Sequence, residues 1–305
     1  MFIMKSVRIT SDPGRASAVG IMPRSRAGEA FNGTGGRLRP LSRFLGEWLE
    51  DLRGCGTTAR RLFLRHLAQQ YRFSSLGLLW AFAPSAITAV VLIGGQRAHI
   101  LRKGEAVPAA FYGVFGLAMA QTFLEALNAT RRIFASHQQL LRRQNVPLEG
   151  IIVAGFIDTA FSLLVRLAVL AVVFFAFSVP LVPATVAIAA IGFVGIALVG
   201  GGLGLLLAPL SSLKRDVDNL FGILPWMLFA VTPVFVPAPA TGYLSWIYWL
   251  NPLARMFDGI RVAAYGGVGD PFAAFRGAVM GIVVMIIGWV FCRIARPHVV
   301  ERMLG

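Results

Sequence analysis

The chain has 305 residues, is 56% hydrophobic and only 14% charged, and carries a formal net charge of +15. That balance is far from the average of soluble domains and excludes an ordinary soluble enzyme. The positive charge would suit phosphates, but it gathers at the ends of apolar runs, as membrane topology dictates, so we expect no nucleic-acid partner.

Residues 1–40 are rich in Gly, Ser, Pro and Arg and lack an apolar core of seven or more residues. We read them as a disordered, basic, cytoplasmic tail and expect no secretory signal. Residues 41–73 carry two amphipathic interfacial helices. Leu41, Phe44, Leu45, Trp48, Leu49 and Leu52 stand at helical spacing, opposite Arg43, Glu47, Glu50 and Asp51. Such a stripe lies on the bilayer surface, on a partner, or against the protein's own cytoplasmic side. Over 60–73, Leu64, Leu67, Ala68 and Tyr71 mark a second face that leads into the membrane.

From 74 to 296 the pattern predicts an all-α membrane domain of six transmembrane helices. They are Leu76–Gly94, Val107–Ala129, Ile151–Val179, Pro183–Leu210, Leu220–Val236 and Phe272–Ile294, followed by a cytoplasmic C-terminus at 297–305. Spans three and four exceed what a bilayer needs, so they tilt or protrude. Between spans five and six, Pro237–Asp270 is apolar yet broken at Asn251-Pro252 and charged at Arg255, Asp258 and Arg261. Non-helical backbone at membrane depth persists only inside protein or along a wet cavity. We therefore expect a re-entrant helical hairpin dipping in from the outer face.

Orientation follows from the basic residues. One side, holding both termini, the loop after span two and Lys214-Arg215, has 22 Lys and Arg, and the other has 6. The crowded side is expected to be the cytoplasm. Cys55 and Cys292 fall there, and His66, His99, His137 and His298 are scattered. Neither set forms a metal site, and two lone cysteines are no disulfide framework.

Glu125, Asp158 and Arg166 are ionisable groups inside spans, each costing ~2.5–3.5 kcal/mol at the bilayer centre, so they face protein or water. Asp158 and Arg166 share one helical face, with Ser162 between them. They either pair to secure packing or line a polar path, while Glu125 leans towards packing. Trp226, Phe229, Phe235, Tyr243, Trp246, Tyr248 and Trp249 gather near the outer half. They form either an interfacial belt or a lining on which sugar rings stack. Gly192, Gly195, Gly200, Gly201, Gly202 and Gly204 sit mid-span with no strand before them, which indicates close helix packing rather than a dinucleotide loop.

Four stretches, in order, have a common likeness: RHLAQQYRFSSLGLLWAFAP at 65–84, NVPLEGI at 145–151, KRDVDNLFGILPWMLFAVTPVFVP at 214–237 and WLNPLARMFDGIRVAAYG at 249–266. Over Leu62 to Arg296 the chain resembles the transmembrane subunit of type-two ABC exporters, the KpsM/Wzm-like permeases of capsule and O-antigen polysaccharide export. The N-terminal extension to about Arg60 departs from that pattern.

The resemblance implies a permease subunit rather than an enzyme, in the bacterial inner membrane. It implies a homodimer among membrane lipids, served by two copies of a separate ABC ATPase that bind ATP and Mg, with no cofactor in this chain. Lys5, Lys103 and Lys214 are the only lysines and none stands in a phosphate-cradling loop. The implied cargo is a lipid-linked polysaccharide, destined for capsule or lipopolysaccharide. The loop RRIFASHQQLLRRQNVPLE, read as helical through Leu141, would couple to the ATPase through Arg131, Arg132, Gln138, Leu141, Arg142 and Arg143. Asp158, Arg166, Trp226, Phe229, Trp246, Tyr248 and Trp249 would line the translocation path. Asn251, Pro252, Arg255, Asp258 and Arg261 would build the re-entrant hairpin. Export of a lipid or drug is the neighbouring alternative. A passive channel or membrane scaffold, indifferent to ATP, is the alternative from another class.

Overall fold

The structure, a computed structural model, describes residues 46, 50–72, 77–98, 108–137, 148–179, 182–213, 215–235, 245–267 and 269–304. Its helices are α1 (Gly56–Tyr71), α2 (Ala83–Arg97), α3 (Ala109–Arg131), α4 (Ile133–Ser136), α5 (Leu148–Phe177), α6 (Val186–Leu213), α7 (Arg215–Val231), α8 (Ser245–Leu250), α9 (Pro252–Tyr265) and α10 (Phe272–Leu304). No strand occurs among the described residues.

Four helices are long and apolar enough to cross a bilayer: Ala109–Arg131, Leu148–Phe177, Val186–Ser212 and Phe272–Val299. They coincide with predicted spans two, three, four and six. The first predicted span is not one continuous helix. Gly77 holds a left-handed φ of +50°, Gly77–Ala81 form a 3-10 turn, and α2 begins at Ala83 with Pro84 in its first turn. A proline ring is compatible with the first turn of a helix but not its interior, so Pro84 fixes where α2 starts. The remaining 15 residues extend about 22 Å, short of a hydrocarbon core of ~30 Å. The fifth predicted span is α7, which stops at Val231. Thr232 precedes Pro233, and the residue before a proline is driven out of the helical region.

α6 is the hub, packed against α3 on one side and α10 on the other. Both approaches depend on the glycines. A Cβ at Gly200 would stand 2.5 Å from the Phe123 carbonyl oxygen of α3, and one at Gly202 would stand 2.6 Å from the Met285 nitrogen of α10. The Thr130 hydroxyl uses this closeness to donate to the Gly201 carbonyl at 2.9 Å. In lipid, where burial gives little drive between helices, such small-residue contacts hold helices together.

The interior has two apolar clusters. One is aromatic: Phe111 meets Phe174 and Tyr265 edge-on at 4.8 and 5.2 Å, and Phe115 meets Phe193 at 5.6 Å. The other joins Ile133, Phe134, Leu148, Ile152, Leu205 and Cys292. Each marks one end of the bundle. At the aromatic end, Ala110 N–H donates to the Gln96 side chain and Val182 N–H donates to the Ala264 carbonyl, so α9 belongs there. At the other end, Arg131 reaches Ser211.

α1 lies along the first turns of α5. Cys55 and Ala59 are buried, Phe63 meets Phe161 at 6.1 Å, and His66 pairs with Asp158. Leu64 is instead exposed. Most of the earlier stripe, at 41–45 and 47–49, lies outside the described residues. α10 runs through Pro297 to Leu304, beyond the predicted end of the last span. Exposed Val172 and Phe175 on α5 and Val283 and Ile287 on α10 give these helices apolar outer faces of the kind a membrane covers.

α10 is opened by Asp270, which accepts from the Phe272 N–H at 2.9 Å and pairs with Arg276 at 2.7 Å. The Arg276 hydrogen bond, then the Phe272 N–H, hold its carboxyl below the ordinary carboxylate range. A depressed carboxyl stabilises the fold above its ordinary value and stops doing so as pH falls through the lowered one. Acidification through that window is expected to speed hydrogen exchange in the first turn of α10 and leave its middle unchanged.

Candidate functional site

The predicted break at Asn251-Pro252 is present, and its polar residues fasten it to the end of α7. Asn251 caps α9 by accepting from the Leu253 N–H at 3.0 Å, with Pro252 opening the helix. Its Nδ2 donates to the Val231 carbonyl at 3.0 Å and to the Thr232 hydroxyl at 3.2 Å. Further along α9, Arg261 is 3% exposed and donates to the Pro233 and Val234 carbonyls at 2.6 and 3.0 Å. Its guanidinium lies 3.6 Å from the Tyr112 ring centroid and 3.5 Å from Asp258. Carbonyls orphaned where α7 stops thus find donors on α9, as buried backbone must. Asn251→Ala removes the cap and both donations. A loss of about 1–2 kcal/mol is expected in denaturant unfolding of the purified protein.

Asp158 and Arg166 do not pair with each other. Arg166 pairs with Glu125 on α3 and stands 3.5 Å from the Thr122 hydroxyl, whereas Asp158 pairs with His66 of α1 at 3.2 Å. Each therefore joins α5 to a different helix. With Arg166 13% exposed, Arg166→Leu leaves Glu125 without its counter-charge and is expected to cost about 3 kcal/mol. Adding Glu125→Gln should recover most of that loss in thermal unfolding, since replacing both partners removes the stranded charge.

Of the residues expected to touch an ATPase, Arg131 is 1% exposed, which corrects its expected place on a docking surface. It donates to Ser211 and Asn128 at 3.3 and 3.1 Å and lies 4.3 Å from the Phe221 ring centroid. The sequence reading took a basic residue after a span for a solvated one. The ring and hydroxyl that hold it inside come from distant helices. Arg132 is exposed. The expected helix through Leu141 is interrupted: α4 ends at Ser136 and the chain turns at His137. Burial pushes the His137 imidazole below its ordinary range. Gln138, Leu141, Arg142 and Arg143 lie outside the described residues.

The aromatic residues separate into two groups by their contacts. Phe229 sits between Trp226 and Phe235, at 6.5 and 5.7 Å, and Trp226 is exposed. Trp246 and Trp249 are exposed on α8, with Arg255 of α9 stacked 4.1 Å over Trp249. Tyr248 is half-buried beside them, and Tyr243 lies outside the described residues.

Sequence reasoning missed Arg293, which it counted only as a cytoplasmic charge. Arg293 donates to Asp51 at 2.8 Å and pairs with Glu149 at 3.1 Å. It thereby ties the residues leading into α1, the start of α5 and the end of α10 into one joint. Glu149 is 2% exposed, and a buried carboxylate between two apolar residues was its only signal.

Residues 58–265 match the ABC-2 type transporter family, from within α1 to the last residue of α9. The chain belongs to that family. No curated protein matches it. The match makes it a membrane permease whose partner is an ABC ATPase, the membrane subunit of an ABC-2 exporter. The two clamped breaks, at 231–234 and at Asn251, fall inside the matched region.

Proposed function

We propose that this permease moves a lipid-linked polysaccharide, of capsule or O-antigen type, from the cytoplasmic to the periplasmic side of the bacterial inner membrane. The observation that carries the reading is the exposure of three tryptophans, Trp226 on α7 and Trp246 and Trp249 on α8. Indole faces suit the C–H faces of sugar rings, and the four sequence stretches that resemble polysaccharide exporters favour the same cargo. In this reading two copies enclose the path. Each copy makes six passes, with α2 and α7 as the first and fifth, α1 at the membrane interface and α8–α9 as the re-entrant hairpin. The basic end of the bundle and both termini face the cytoplasm. Two ATPase subunits dock on the loop that runs from Arg132 to Asn145. Their closure on ATP displaces that loop as a rigid body, and Pro147-Leu148-Glu149 passes the movement to α5. Phe229 and Tyr248 back the tryptophan surface, and Asp158 and Arg166 hold α5 in register beside the path.

Depletion of the permease in its native cells tests this. Lipid-linked polysaccharide should accumulate on the cytoplasmic leaflet while surface polysaccharide falls, and Trp226→Ala with Trp249→Ala should reproduce part of that defect. Unchanged surface polysaccharide on full depletion would reject the cargo. One observation favours lipid export instead. A cleft of about 540 Å³ between α5 and α6 is walled by Leu167, Phe174, Phe175, Val186 and Phe193, and its apolar lining suits an acyl chain. Accumulation of a phospholipid rather than a polysaccharide on depletion would select that reading.

A further inference from the structure

We propose that the cleft enclosed by α1, α3, α4 and the first turns of α5 binds the anionic, phosphate-bearing headgroup of a membrane lipid. Its volume is about 790 Å³. It lies at the end of the bundle where α3 stops and α5 begins, the depth at which headgroups meet the ends of spans. One part of its wall is apolar, with Leu62 and Phe63 of α1 facing Ile151 and Ala154 of α5. The other part carries Arg65 of α1 and Arg132 beyond α3.

Those two arginines are exposed. The guanidinium of neither has an ion pair or hydrogen-bonded partner among the described residues. They differ in this from Arg131, Arg166, Arg261 and Arg293, each of which holds a partner. The acidic group of the lining, Asp158, is occupied by His66 at 3.2 Å, so two guanidiniums remain for an anion. A guanidinium fork matches two phosphate oxygens, and the apolar wall accommodates the beginning of an acyl chain. An amphiphile uses both parts, and a free anion uses only one. The inference rests on the membrane location of the chain and is independent of the exported cargo.

The test uses the full chain purified in detergent, with thermal unfolding followed as phosphatidylglycerol, phosphatidylcholine of the same acyl chains, or inorganic phosphate is titrated. Phosphatidylglycerol should raise the midpoint, and phosphatidylcholine and phosphate should not. The Arg65→Gln, Arg132→Gln double variant should need about thirtyfold more phosphatidylglycerol, from a contribution of roughly 1 kcal/mol per basic residue. Arg60→Gln with Arg61→Gln, also exposed on α1 but outside the cleft lining, should titrate like wild type. Should the double variant fail to fold, the single variants are titrated separately and each should show part of the loss. The proposal is overturned if phosphatidylcholine stabilises equally, if phosphate alone stabilises as well as the lipid, or if the cleft variants titrate like wild type. A loss as large in the Arg60, Arg61 control also overturns it.

Discussion

Arg261→Leu is expected to destabilise the permease by at least ~3 kcal/mol and to abolish most of its folded yield. The leucine retains the bulk of the side chain but removes the donors that Arg261 offers the Pro233 and Val234 carbonyls at 2.6 and 3.0 Å. Arg261→Lys should recover only part of the loss, because an ammonium is a point charge and cannot reproduce a planar fork over Tyr112. Gly116→Ala reaches the same joint from α3, since a Cβ there would collide with the Val234 carbonyl and the Arg261 guanidinium. Thermal unfolding of the detergent-purified variants reads both effects. If Arg261→Leu unfolds like wild type, the clamp between α7 and α9 is not what holds the broken segment.

Gly204→Val is the second large effect. A Cβ at this position of α6 would overlap the Thr130 hydroxyl and the Leu127 carbonyl of α3. Backbone cannot rotate away as a flexible side chain can, so α3 and α6 must separate. A cost of about 3 kcal/mol is expected, at the upper end of ordinary overpacking. Gly222→Ala on α7 is the matched control, because a Cβ there meets nothing within 4 Å. It should be neutral or stabilise by up to about 1 kcal/mol through helix propensity. Size-exclusion profiles and unfolding midpoints of the two variants should diverge sharply. Equal behaviour would mean that α6 is not seated by its glycines.

These two sites show which features were legible in the chain. Long apolar runs gave four membrane helices whose starts fall within a few residues of those expected, because a bilayer demands length and apolarity that soluble folds rarely combine. Asn251-Pro252 announced a helix break, since proline lacks the N–H that a continuous helix would use. The glycine cluster announced close packing. Partners were not legible. Arg166 and Asp158 share a helical face, yet one turns to Glu125 and the other to His66, and spacing along one helix carries no information about its neighbours. Arg131 looked like a surface charge because its acceptor Ser211 lies 80 positions away. The first span appeared continuous by hydropathy, a measure blind to the Gly77 and Pro84 backbone restrictions that divide it.

Transport by this chain is expected to depend on work transmitted from a separate ATPase. We would co-purify the permease with its partner ABC ATPase and follow ATP hydrolysis in the isolated complex. A stable complex is expected, and Arg142→Glu with Arg143→Glu should weaken assembly or uncouple hydrolysis while leaving the fold of the permease intact. A permease that captures no ATPase in either form would contradict the exporter account and favour a passive channel or scaffold.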